Sequence, residues 1–140
     1  MSELHNRVLA GKDRLVADRR WLHQHAELSW KETETAAYLE QALADIGGLV
    51  LSRPTPTSVM AVLKTGRPGP TVAIRADIDA LPITEENELE YRSIHPGAMH
   101  ACGHDGHAAI LLNAVRLVCQ DKESLCGELR FIFQHAERCV

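Results

Sequence analysis

The stretch MHACGHDGHAAILLNAVRLVC, Met99 to Cys119, joins two unlike halves. Its second half, AAILLNAVRLVC from Ala108 to Cys119, is apolar on almost every side and too long for a typical strand, so the pattern predicts a helix buried within a larger body. Such a helix needs a layer to cover it, and the neighbouring segments supply one. Leu49–Ser52, Val59–Lys64 and Thr71–Arg75 are short, rich in Val, Leu and Ile, and bounded by the clusters RPTPT and TGRPGP, which predicts three strands. Glu128–Gln134, ELRFIFQ, alternates as a fourth strand and runs into His135-Ala136-Glu137. Near the start, Leu4, Val8, Leu15 and Leu22 fall at helical spacings, with a weak point at Gly11 and an end near His23. Ser29-Trp30-Lys31-Glu32 has the form of a capping box ahead of a helix through Ala36, Leu39, Leu43 and Ile46, closed by Gly47-Gly48. Helices mixed with short apolar strands predict a single α/β domain over residues 1–140, a length that buries roughly two-thirds of the unfolded surface.

Composition narrows the classes of partner. Lys plus Arg total 15 against 19 Asp plus Glu, and no basic run is interleaved with aromatics, which argues against nucleic acid. The charged N-terminal segment lacks the apolar centre of a signal peptide, and no apolar run approaches the roughly 20 residues needed to cross a bilayer. The expectation is a cytoplasmic protein without membrane contact. Cys102, Cys119, Cys126 and Cys139 contain no C-x-x-C pair and read as free thiols. The nucleophile elbow, the P-loop and the dinucleotide fingerprint are all absent.

Three polar clusters carry the chemistry. In MHACGHDGH, Cys102 and His104 are separated by Gly103; in a loop or extended segment that spacing lets both side chains converge on one metal ion, whereas on a helix they diverge by about 200°. The pairs His104/His107 and His100/His104 suit a helical reading instead, and the whole cluster also suits a plain helix start with its histidines bonded to backbone. In RADIDALP, residues 75–82, Asp77 and Asp79 stand two apart at the end of an apolar strand, where they can bind a metal, orient a metal-bound His, or simply solvate a loop. In FQHAER, residues 133–138, Glu137 follows a strand end and can act as a general base. His23 and His25 lie where a helix ends, which makes them weak ligand candidates.

Taken in order, RRWLHQHAELSWKETETAAYL, VAIRADIDALPITE, MHACGHDGHAAILLNA and LRFIFQHAE resemble the N-terminal part of the metal-dependent aminoacylase and carboxypeptidase-like amidohydrolases, in the branch of hippurate hydrolases and N-acyl-amino-acid amidohydrolases. The resemblance runs from about residue 14 and implies the N-terminal portion of a zinc-peptidase-like catalytic domain, a mixed sheet flanked by helices. It implies a divalent metal, Zn or Mn, two per site in the complete family. It also implies hydrolysis of the amide of an N-acylated amino acid or short peptide. By motif, Cys102 and His104 match metal ligands, Asp79 the acid supporting the metals, with Asp77 as its neighbour, and Glu137 the general base. His100 and His107 are left to supporting or helix-start roles.

The sequence also departs from the family pattern. Arg138 stands where the motif has a second, metal-binding glutamate, and a guanidinium has no lone pair for a metal. His135 and Ala26 replace prolines. The family continues with two further His ligands and an inserted lid or dimerisation domain, so the 140 residues read as a truncated catalytic domain. The expectation is impaired or absent turnover, with homodimerisation or self-association through uncovered apolar surface.

Overall fold

The structure is a computed structural model and describes residues 2–137. Helix α1 spans Glu3–Ala10 and α2 spans Lys12–Gln24. They part at Gly11, where a Cβ would lie 2.9 Å from the Asn113 side-chain oxygen, so the weak point in the sequence is also a close approach. Helix α3 covers Thr33–Ile46 and stops at Gly47 and Gly48, both at positive φ. Strands β1 (Val50–Ser52), β2 (Val59–Lys64) and β3 (Thr71–Asp77) follow, then α4 (His104–Gln120), a 3-10 turn at Lys122–Ser124, and β4 (Glu128–Gln134).

The four strands form one mixed sheet in the order β1-β2-β4-β3. Pairs β1/β2 and β2/β4 are antiparallel, while β3 and β4 run parallel from Thr71↔Glu128 to Asp77↔Gln134. Parallel neighbours need a crossover, and α4 provides it. At its return, Gly127 has φ of 79° and sits so close to the Pro70 carbonyl that no Cβ fits.

Helices α2, α3 and α4 lie on one face of the sheet and meet it through Leu22, Leu39, Leu43, Leu112, Val115, Val59, Leu63, Phe131 and Phe133, all within 1 % of full burial. Phe131 and Phe133 alternate with the half-buried Ile132 and the exposed Arg130, the period-2 pattern that marked this segment as a strand. The predicted buried helix is α4, which begins four residues earlier than its apolar run because His104 and Asp105 are themselves buried.

Two polar networks brace the helix layer. Asp18 of α2, fully buried, accepts from Tyr38 Oη at 2.6 Å and pairs with Arg116 Nη1 at 2.6 Å, tying α2, α3 and α4 together. Burial first, and then the bond to Asp18, push the Tyr38 phenol well above its ordinary range. The second network caps α3. The capping box expected at Ser29 and Glu32 does not form, because both side chains are engaged elsewhere: Ser29 Oγ donates to Asp79 and Glu32 accepts from Ala136. Glu27 replaces it, its carboxylate taking the backbone N–H of Glu34 at 3.1 Å and of Thr35 at 2.8 Å, and the Thr33 hydroxyl at 3.2 Å.

Candidate metal centre

The C-terminal end of β3 and the N-terminal end of α4 meet at one place. Beyond β3, Ile78 stays tied to β4 through Gln134, Ala80 pairs with Leu28, and Leu81 pairs with Met99, so the chain carrying Asp79 is threaded between the segment before α3 and the segment before α4. Gly103, at φ of 101°, turns the chain into α4 and leaves Cys102 just outside the helix with His104 as its first residue.

His104 is buried, and its ring is fixed from one side. Nδ1 lies 2.9 Å from the Asp79 carbonyl oxygen and 3.1 Å from Asp79 Oδ1. Both are acceptors, so Nδ1 carries the proton and Nε2 keeps its lone pair. That Nε2 faces Cys102 Sγ at 3.7 Å. A tetrahedral Zn²⁺ holding sulfur at about 2.3 Å and nitrogen at about 2.0 Å separates the two donors by about 3.5 Å, so the pair fits one ion with little movement. Asp79 is in turn held by Ser29 Oγ, which donates to Oδ2 at 2.8 Å. A carboxylate behind a histidine whose far nitrogen is directed at a thiol is the arrangement that orients metal ligands. No cluster of three or more His, Cys, Asp or Glu side chains able to hold a metal occurs among the described residues.

The remaining candidates are distributed around this pair. Asp77 ends β3, but Arg75 occupies its carboxylate at 2.8 Å, so the two acids of RADIDALP have different partners. Glu137 is exposed just past β4, following Ala136 at φ of 47°, a conformation costly for a residue with a Cβ. Ala136 is held there by its N–H, which donates to Glu32 Oε1 at 2.8 Å. Glu32 is fully buried; burial pushes its carboxyl above the usual range, with the Asp79 charge adding to the effect against opposing backbone donors. His135 is buried against the Trp30 ring and bonds Thr55 Oγ1 through Nδ1 at 3.0 Å. Arg138 and Cys139 lie outside the described residues; Cys119 and Cys126 are free thiols.

A cluster that the sequence did not reveal lies behind the site. His23 places Nδ1 2.8 Å from Asp105 Oδ2 and Nε2 3.1 Å from Glu85 Oε1, and Arg19 also reaches Asp105 at 2.9 Å. Glu85 further accepts the Ser93 backbone N–H at 2.7 Å. Burial works against the Glu85 charge, but the donors of Ser93, His23 and Asn87 outweigh it and lower its pKa. His100 is buried beside His23, and burial pulls it down to about 4, so it is neutral at pH 7. The partners of His23 are 62 and 82 residues away, which is why spacing marked it only as a weak ligand candidate. His25 stacks on Trp21 and His107 is exposed in the first turn of α4.

The fold is a mixed α/β domain with a Cys–His pair at the end of its sheet, and comparison with known proteins shows what it resembles. Residues 73–139, which carry most of β3, all of α4 and β4, and the three clusters, match the model of peptidase family M20/M25/M40. The chain belongs to this family. It is 55 % identical over 126 residues to an N-acyl-L-amino acid amidohydrolase of Geobacillus stearothermophilus, covering 90 % of this chain and 34 % of the relative. It is 46 % identical over 123 residues to an N-acetyl-L-cysteine deacetylase of Bacillus subtilis, covering 88 % and 30 %. Among solved structures, a dinuclear metal-binding peptidase of family M20 from Bacillus subtilis superimposes with a TM-score of 0.87 at 44 % identity, covering 91 % of this chain and 36 % of that one. The chain thus spans about a third of the length of the relatives it matches. No helix among the described residues is long and apolar enough to cross a membrane.

Proposed function

We propose that this chain forms part of a metal-dependent amidohydrolase that cleaves the amide bond of N-acylated amino acids or short peptides, giving a carboxylate and a free amine. The observation that carries the reading is the His104 ring, locked through Nδ1 onto Asp79 so that Nε2 faces the Cys102 thiol. Cys102 and His104 would hold a divalent cation, Zn or Mn, as one part of a two-metal site. When bound, such an ion polarises a carbonyl and raises the acidity of water. Asp79 keeps His104 in the ligating tautomer. Glu137, exposed at the end of β4, is the base that takes a proton from the attacking water and returns it to the leaving amine. Asp77 has a supporting place only, since Arg75 occupies its carboxylate. The names of the Geobacillus and Bacillus relatives support the substrate class.

Arg138 favours a second reading, in which the chain binds metal without turning substrate over, because its guanidinium replaces a carboxylate in the motif this sequence resembles. One experiment separates the two. The purified chain is loaded with Mn²⁺ or Zn²⁺ and assayed for amino acid released from N-acetyl and N-benzoyl amino acids. Release that disappears in Glu137→Gln supports the hydrolase; stoichiometric metal without release supports the second reading. Absence of metal binding refutes both.

A further inference from the structure

Among the described residues, two other than glycine take positive φ, Trp30 at 68° and Ala136 at 47°. The conformation is costly for any residue with a Cβ, and most costly for a bulky aromatic one. The two are remote in sequence and adjacent in space. The Trp30 ring lies against His135 at 4.5 Å between centroids, and Glu32, just after Trp30, accepts the Ala136 N–H at 2.8 Å. Both strained residues therefore belong to one joint, between the loop ahead of α3 and the exit of β4.

Glu32 is the centre of that joint. It stands at the N-cap of α3, but its side chain makes no capping bond there; Glu27 takes the helix N–H groups instead. Glu32 Oε1 is engaged by Ala136, while Oε2 is buried with no hydrogen-bond partner among the described residues. A fully buried carboxylate with one oxygen unsatisfied stabilises a fold poorly, and an apolar side chain would fill the same space without the desolvation cost. What an apolar side chain could not supply is an acceptor for the N–H of the residue before Glu137.

The same loop reaches the other side of the site. Ser29 Oγ donates to Asp79 Oδ2 at 2.8 Å, and Asp79 holds the His104 ring. The chain between Ser29 and Glu32 is a closed turn, with the Lys31 N–H bonded to the Leu28 carbonyl at 2.9 Å and the Thr33 N–H to the Lys31 carbonyl at 2.8 Å. Ser29 and Glu32 are thereby fixed relative to each other.

We propose that the loop from Ser29 to Glu32 is a positioning element that ties the segment carrying Glu137 to the Asp79–His104 pair, with Glu32 as the positioning residue on the side of the base. Ser29 fixes the acid behind the histidine, and Glu32 holds the left-handed turn at Ala136 from which Glu137 emerges. A base works only within hydrogen-bond reach of the proton it takes, so a tie between the two sides governs its geometry. The proposal rests on the reading of Glu137 as the base, but the joint is read out without turnover.

The test compares Glu32→Ala and Glu32→Gln in the nitrogen-labelled chain by NMR. Without metal, exchange of the buried Ala136 amide is expected to quicken about tenfold in Glu32→Ala, through loss of its acceptor, and to stay near wild type in Glu32→Gln, whose side-chain oxygen still accepts. The β2 amides control for global destabilisation. With Co²⁺ bound at Cys102 and His104, the Glu137 amide is expected to show a pseudocontact shift that Glu32→Ala reduces and broadens and Glu32→Gln retains; a carboxylate with a merely structural role would leave it unmoved. Ser29→Ala is the second variant, and carries the test if Glu32→Ala does not fold: it is expected to alter the Glu137 shift while Ala136 exchange stays at the wild-type rate. The proposal is overturned if Ala136 exchange in Glu32→Ala matches wild type, if the Glu137 shift is absent in wild type, or if that shift is the same in every variant. Hydrolysis of N-acetyl amino acids that survives Glu137→Gln refutes the base reading instead, a result separable from both NMR readouts.

Discussion

Replacing Asp79 with alanine tests how the site is prepared for a metal. The His104 Nδ1 proton has two acceptors, the Asp79 main-chain oxygen at 2.9 Å and Oδ1 at 3.1 Å, and the substitution removes only the second. The ring therefore keeps its tautomer and much of its orientation, but loses the negative charge that raises its basicity toward a cation. Removing such a partner costs about 10- to 100-fold in metal affinity. With the main-chain acceptor retained, the expected loss is at the low end, about tenfold or ~1.4 kcal/mol. Ser29 Oγ loses this acceptor as well, at a half-buried position where solvent can substitute. The same change removes one of the charges that raise the Glu32 pKa, so the fold is not expected to weaken in parallel. Zn²⁺ affinity is measured by competition with a chromophoric chelator at neutral pH, alongside urea unfolding of the metal-free protein. Unchanged affinity in Asp79→Ala, with affinity lost in Cys102→Ser, would refute an orienting role for Asp79.

Two further outcomes follow from the buried networks. Asp18→Ala leaves the Arg116 guanidinium without its buried carboxylate partner and Tyr38 without its acceptor, and should cost about 3 kcal/mol in urea unfolding. The low end of the usual range applies because Arg116 is 18 % exposed and can recover some hydration. Glu85 has a depressed pKa in the folded chain, so its contribution is present above its ordinary value of 4.5 and is lost as pH falls through the lower folded value. Glu85→Gln should therefore lower stability at pH 7 and flatten the loss of stability from about pH 5 downward, as followed by urea midpoints across pH.

Much of the fold was legible because its signals are local. The strands Val59–Lys64 and Glu128–Gln134 occupy the predicted residues, since alternation and flanking Gly and Pro are read within a single segment. The end of α3 at Gly47 and the break at Gly11 are equally local. The capping box failed for the opposite reason. Ser29 and Glu32 have the right spacing, but their partners, Asp79 and Ala136, lie 50 and 104 residues away, and Glu27 reaches the vacated helix end from outside the motif. The apolar run starts later than α4 because His104 and Asp105 read as polar loop residues until their partners, Asp79, Arg19 and His23, are known. At the site, the Cys102/His104 spacing pointed to convergence, and the structure adds the reason for it: Gly103 in the left-handed region and an acid behind the imidazole. The His23, Glu85 and Asp105 cluster is purely a product of tertiary contact and carries no signature in sequence spacing.

The central claim, that Cys102 and His104 share one divalent cation, is tested most directly by titrating the reduced protein with Co²⁺ and recording its absorption. A sulfur-to-cobalt charge-transfer band that saturates at stoichiometric metal, disappears in Cys102→Ser and weakens sharply in His104→Ala is expected. The absence of a band at stoichiometric cobalt, or a band that His104→Ala leaves unchanged, would contradict it.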